Sequence, residues 1–176
     1  MRRPAAVIAL MLLAALVTGC AGYRQGSLVH PDLKTVAIGE IRNASSVPHL
    51  EIYLRQHLAE QFSSDGTLRL TNLDDADCII IAEVKDFDVA GIAETRVDSP
   101  DDDQRINRST AFRANVRVHW RLDVANGSRP LLAPRETVGR GVYPERLDYV
   151  QAQERGLKQA TYDAAQQIVV AVTEGW

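Results

Sequence analysis

Positive charge is in short supply in this chain: 20 Lys and Arg residues face 23 Asp and Glu. A nucleic-acid binder carries a basic footprint, so that class is set aside. Only four histidines occur (His30, His49, His57 and His119), and none falls in an H-x-H or H-E-x-x-H spacing. With two cysteines, Cys20 and Cys78, they assemble no recognisable metal set. The chain also lacks G-x-S-x-G, a P-loop and G-x-G-x-x-G. Nothing in sequence therefore brings a nucleophile to its base or a loop to a phosphate. No apolar run reaches the ~18 residues of a spanning helix. What remains is 45% apolar residues in 176, enough for one domain with its own core.

One apolar run does stand out. Leu10–Cys20 reads L-M-L-L-A-A-L-V-T-G-C, follows Arg2 and Arg3, and precedes any acidic residue. A cationic start, an apolar segment of roughly ten residues and small residues at the break describe a secretory signal peptide. Val17-Thr18-Gly19-Cys20 resembles the bacterial lipobox, in which cleavage falls before a cysteine that carries a diacylglycerol thioether. The competing reading is ordinary secretion with an incidental cysteine. On the lipobox reading residues 1–19 are a lipoprotein signal peptide and residues 20–30 a lipid-anchored tether containing Gly22, Gly26 and Ser27. Residues 31–176 then form a single periplasmic domain. No cofactor is expected beyond the diacylglycerol and N-acyl chain on Cys20. Acylation leaves Cys78 alone, so the fold has no disulfide staple. Cys78 opens the run Cys78-Ile79-Ile80-Ile81 and reads as a buried small apolar residue.

Along the domain, Leu33–Ile41 carries apolar residues on both parities and reads as a central strand covered on both faces. Asn43–Ser46 is a turn, with Ser45 or Ser46 able to cap the helix that follows. Leu50, Leu54, Leu58 and Phe62 step by four, with Tyr53 on the same stripe, and Asp65-Gly66 ends the helix. Thr67–Leu73 is a short strand with Leu68 and Leu70 inward. Cys78–Val89 is a long strand with a bulge near Asp86.

Val97–Asn107, containing Asp98, Asp101, Asp102, Asp103 and Pro100, reads as a solvated hairpin loop. A calcium loop would want a turn glycine, and none occurs there. Thr110–Val124 alternates cleanly: Phe112, Ala114, Val116, Val118, Trp120, Leu122 and Val124 on one face, and Arg113, Asn115, Arg117, His119, Arg121 and Asp123 on the other. Asn126-Gly127 signals a hairpin to a partner strand over Leu131–Val142, where Pro134 marks an edge or a bulge. The last helix carries the stripe Leu147, Val150, Leu157, Thr161, Ala164, Ile168 and Ala171 or Val172, with Gly156 a weak point of up to ~1 kcal/mol. The predicted fold is α+β: two helices on one face of a four- to five-stranded, mostly antiparallel sheet in the order β-α-β-β-β-β-α.

This order carries a resemblance. The lipobox is followed by Gly22-Tyr23, an extended Leu33-Lys34-Thr35-Val36-Ala37-Ile38, an Asn turn at Asn43, a leucine-rich helix and Asp65-Gly66. Ala76-Asp77 then opens a long strand, and two more strands and a C-terminal helix follow. Together these resemble the LPS-assembly lipoproteins, the LptE-like family. The resemblance implies no enzymatic activity. It implies an outer-membrane lipoprotein, anchored at the periplasmic face, that sits partly inside an outer-membrane β-barrel translocon and assists its assembly and the insertion of lipopolysaccharide. Ala21, where Asp would favour inner-membrane retention, agrees with onward export.

Arg113, Arg117 and Arg121 recur every fourth residue on the polar face, at intervals of about 13 Å. Such a row can meet lipid A phosphates by charge-assisted bonds, or be balanced by acids on neighbouring strands. Two other classes compete with the translocon reading. One is a component of a secretion or surface-fibre apparatus forming oligomeric rings. The other is a periplasmic carrier with an apolar cavity, against which both helix stripes look fully used in packing.

Overall fold

The structure, a computed structural model, describes residues 32–98, 105–125, 130–144 and 149–175, without the side chains of 95–98, 105–108 and 149. Cys20, the segment 1–19, the tether 20–30, Leu147, Asn126-Gly127 and the Asp101–Asp103 cluster lie outside the described residues. Strand β1 spans Thr35–Asn43, helix α1 Leu50–Asp65, β2 Arg69–Leu70, β3 Cys78–Asp98, β4 Arg105–Val124, β5 Pro130–Pro144 and helix α2 Tyr149–Thr173. The element order is the expected one, and the fold is α+β with both helices against the sheet.

The sheet is mixed rather than mostly antiparallel. Its order is β2-β1-β3-β4-β5. β1 runs parallel to both its neighbours, whereas β3, β4 and β5 form an antiparallel meander. Parallel pairing follows from α1, which returns the chain to the end of the sheet where β1 began, so β2 and β3 start beside Thr35 and Val36. β1 is thus an inner strand, and Val36 and Ala37 are buried.

Leu50, Leu54, Leu58 and Phe62 are all fully buried, as their spacing requires. At about 2–3 kcal/mol each, their burial holds α1 to the sheet. Gly66 closes the helix in the left-handed region (φ 70°), its N–H bonding Phe62 O at 3.1 Å.

The start of α1 differs from expectation. The N-cap is His49, at φ 68° with no side-chain cap, and neither Ser45 nor Ser46 serves. Ser45 Oγ is already committed to Asn43 Oδ1 at 2.7 Å, five residues before the helix begins at Leu50. A β-carbon at positive φ is strained by about 1–2 kcal/mol. His49→Gly is therefore expected to raise stability by up to about 1 kcal/mol despite the extra freedom of the unfolded glycine, read as a thermal midpoint ~2–4 °C higher.

Further boundaries shift. Only Arg69–Leu70 of Thr67–Leu73 is paired, and Leu73 opens a 3-10 turn to Asp75 with its side chain exposed. Leu68 is inward, and Leu70 is partly buried against the core. The bulge near Asp86 is present, between Val84 and Asp86. β3 continues nine residues past Val89, and β4 begins at Arg105 rather than Thr110. Pairing there runs through Asp98↔Arg105, because backbone hydrogen bonds need no apolar alternation. Pro134 lies both on an edge strand and within a register shift.

In α2, Leu157, Thr161, Ala164, Ile168, Ala171 and Val172 are buried as expected, but Val150 is 73% exposed in the first turn. Cys78 is buried, its Sγ 3.4 Å from Thr35 O, and burial pushes its thiol up to about 12. It is inert.

Gly156 is not merely a weak point. A β-carbon there would strike the Tyr143 ring, and β-carbons on Gly139 and Gly141 would strike the α2 backbone at Ala160 and Gly156. Helix and strand touch main chain to main chain.

Candidate functional site: the helix-free face of the sheet

Helices cover one face of the sheet, so the alternation of β4 sends its polar residues to the other. Arg113, Arg117, His119 and Arg121 are all exposed there. Cross-strand register decides what each meets. Arg117 lies beside Val138 and His119 beside Glu136 of β5. The Glu136 carboxylate accepts from Arg117 Nη1 at 2.7 Å and pairs with His119 Nε2 at 2.6 Å. His119 first, then Arg117, holds the Glu136 carboxyl below the usual carboxylate range. Arg121 Nε bonds Asp123 at 2.9 Å. Asn115 donates to Asp88 at 2.8 Å.

Arg113 is different. Its cross-strand neighbours are Ala90 and Val142, and it makes no ion pair among the described residues. Val142 is 49% exposed and Ile92, farther along β3, 41%. The three arginines thus share one face, as their spacing predicts, but two are engaged by acids and one stands among apolar side chains.

Toward the β1 side of this face lies an open groove of about 240 Å³, floored by Ile81 and edged by Glu40, Arg42, Glu83, His119 and Arg121. Arg42 holds Glu40 at 2.8 Å. Lys85 does the same for Glu83, and both carboxyls sit below their usual range for that reason. Exposed pairs of this kind contribute little stability each. They make a surface of alternating sign. Glu136, Glu40 and Arg42 were not singled out by sequence, because only strand register shows that they share this face.

The sequence motifs that carry the family resemblance do a different task. Asp77 Oδ2 accepts the backbone N–H groups of Lys34 and Thr35, both at 2.9 Å, while its own N–H donates to Thr35 Oγ1 at 2.9 Å. This staples the start of β1 to the start of β3. The Lys34 amide is the first cause that lowers the Asp77 carboxyl, followed by Thr35. A carboxyl lowered in the fold stabilises fully above its ordinary value near 3.9, and that contribution fades as pH falls through the lower folded value. Asp77→Asn is expected to lose about 1 kcal/mol at neutral pH, with the gap to the parent closing below about pH 4 in denaturant titrations. A gap that stays constant with pH would count against a charge-dependent staple. Midway along β1, Arg55 of α1 donates to Ile38 O at 3.1 Å and Gly39 O at 2.7 Å, carbonyls beside a register shift.

Among the described residues no group of His, Cys, Asp or Glu is placed to hold a metal ion, and no helix is long and apolar enough to cross a membrane. Fold and face together define an α+β domain with one side of its sheet covered by helices and the other open and laced with charge. Residues 33–172 match the family model described as LptE: Lipopolysaccharide-assembly, and the chain belongs to that family.

No curated protein matches the sequence. Among solved structures, a minor lipoprotein from Acinetobacter baumannii is similar at 13% identity and TM-score 0.50, covering 80% of this chain and 93% of its own. A protein from Xanthomonas campestris is similar at 12% identity and TM-score 0.53, covering 85% of each chain. At such identities the likeness is one of fold.

Proposed function

We propose that this chain is a non-catalytic outer-membrane lipoprotein of lipopolysaccharide assembly. It is held at the periplasmic face by acyl chains on Cys20, and it plugs and assists the assembly of a β-barrel translocon that delivers lipopolysaccharide to the outer leaflet. The family match over residues 33–172 is the observation that carries this reading. The physical form suits it: a rigid sheet backed by two helices, with a polar open face for a partner or ligand. Affinity purification from detergent-solubilised envelopes tests the partner. A heat-modifiable barrel in stoichiometric amount is the expected result, and its absence sinks the translocon role. Labelling with radioactive palmitate tests the anchor, with Cys20→Ala expected to stay cold.

Direct contact with lipopolysaccharide would fall on Arg113 before Arg117 or Arg121, because a phosphate there has no Glu136 or Asp123 to displace. Arg113→Ala is expected to weaken lipopolysaccharide binding roughly three- to tenfold, the worth of about 1 kcal/mol in one charge-assisted contact. Arg117→Ala and Arg121→Ala should change it less than twofold. A triple Arg→Ala variant that binds like the parent removes this contact.

A further inference from the structure

β5 is the last strand of the sheet, so its outer edge presents backbone groups with no strand to receive them. Such an edge is a template for another chain. Here it is occupied. The Arg140 N–H donates to Asp163 Oδ2 at 2.8 Å, the Val142 N–H to Gln159 Oε1 at 3.2 Å, and Gln167 Nε2 donates to Val138 O at 3.4 Å. Gln167 Nε2 also donates to Asp163 at 2.9 Å, tying the row together. The geometry is commensurate. Every fourth residue of a helix advances about 6 Å, and every second residue of a strand about 6.8 Å, so Gln159, Asp163 and Gln167 meet Val142, Arg140 and Val138 in antiparallel order. The glycine contacts of Gly139 and Gly141 bring α2 close enough for these short side chains to reach.

We infer that Gln159, Asp163 and Gln167 form a side-chain guard that blocks antiparallel pairing of β5 with a second copy of this chain. The exposed edge would be self-complementary about Val138. A two-fold pairing centred there sets Arg140 against the partner's Glu136, and the partner's Arg140 against Glu136, opposite charges directly across strands. Arg140, Glu136 and Val142 are all exposed.

The test uses the full chain in density-matched detergent, followed by sedimentation equilibrium. Gln159→Ala, Asp163→Ala and Gln167→Ala together keep helix-favouring residues while emptying the guard. The triple variant is expected to gain a dimer at tens of micromolar over whatever mass the parent shows. Adding Arg140→Pro, which removes an edge N–H, should abolish the gain. A triple variant with the parent's mass, or a gain that Arg140→Pro leaves in place, overturns the inference. Should the triple variant fail to fold, amide exchange in Asp163→Ala decides. The Arg140 amide should lose at least tenfold protection while β4 amides keep theirs, and unchanged Arg140 protection overturns the guard.

Discussion

Gly141→Val is expected to abolish folding, and Gly141→Ala to cost more than about 3 kcal/mol. The atoms a β-carbon would meet are the Gly156 carbonyl oxygen and, at 2.8 Å, the Ala160 nitrogen, both main chain. A side chain can turn aside, but a helix backbone can only be lifted. Lifting α2 here would open the layer beneath it, which contains the fully buried Ala160, Ala164 and Ile168. Overpacking typically costs 1–3 kcal/mol, and an obstacle that cannot rotate lies at or above the top of that range. For a domain with ~5–15 kcal/mol in hand this is severe.

Gly156→Ala is the informative companion. In an exposed helix it would gain about 1 kcal/mol, yet here the new methyl meets the Tyr143 ring. The clash outweighs the propensity, so a net loss is expected. Urea titration of both variants checks the pair, and a stabilised Gly156→Ala would show the ring free to move.

Asn43→Ala is expected to cost about 2–4 kcal/mol. The side chain works at both ends. Nδ2 donates to Val47 O and to Glu51 Oε2, each at 2.8 Å, and Oδ1 accepts from Ser45 N at 3.0 Å and Ser45 Oγ at 2.7 Å. One amide therefore shapes the turn from β1 and fixes its entry into α1. At ~1 kcal/mol per bond, with one to a charged group, the sum falls in that range. Asn43→Asp is the sharper control. It keeps the acceptor but presents a carboxylate to Glu51 and Val47 O, so it should do no better than alanine at neutral pH. Thermal denaturation of the two variants measures this, and an Asp variant as stable as the parent would show that the Nδ2 bonds contribute nothing.

Much of this architecture was legible one element at a time. The step-by-four leucines of α1, the alternation of β4, the bulge near Asp86 and Pro134 at an edge all report local rules, and each emerged where expected. Strand order is not local. That β1 runs parallel to β2 and β3 depends on how α1 folds back, which hydropathy along the chain does not encode. The extension of β3 and β4 into polar sequence was hidden because main-chain pairing leaves no mark on side-chain pattern.

The candidate face shows the same division. Parity placed Arg113, Arg117 and Arg121 together, while Glu136, which occupies Arg117 and His119, becomes visible only through the β4–β5 register. Gly139-Arg140-Gly141, opposite a helix with small residues at Ala152, Gly156, Ala160 and Ala164, was a readable signal of close approach that periodicity alone passes over.

The β3–β4 hairpin outruns its neighbours: β1 leaves it at Val84 and β5 at Ala111, yet pairing continues to Asp98. Since β3 begins where Asp77 grips Lys34, the hairpin's far end lies on the order of 60 Å along the strand from the point where the chain enters the sheet. Beyond Ala93↔Ala111 that arm is held by β3–β4 pairing alone, so its end can open without loosening the strands on either side.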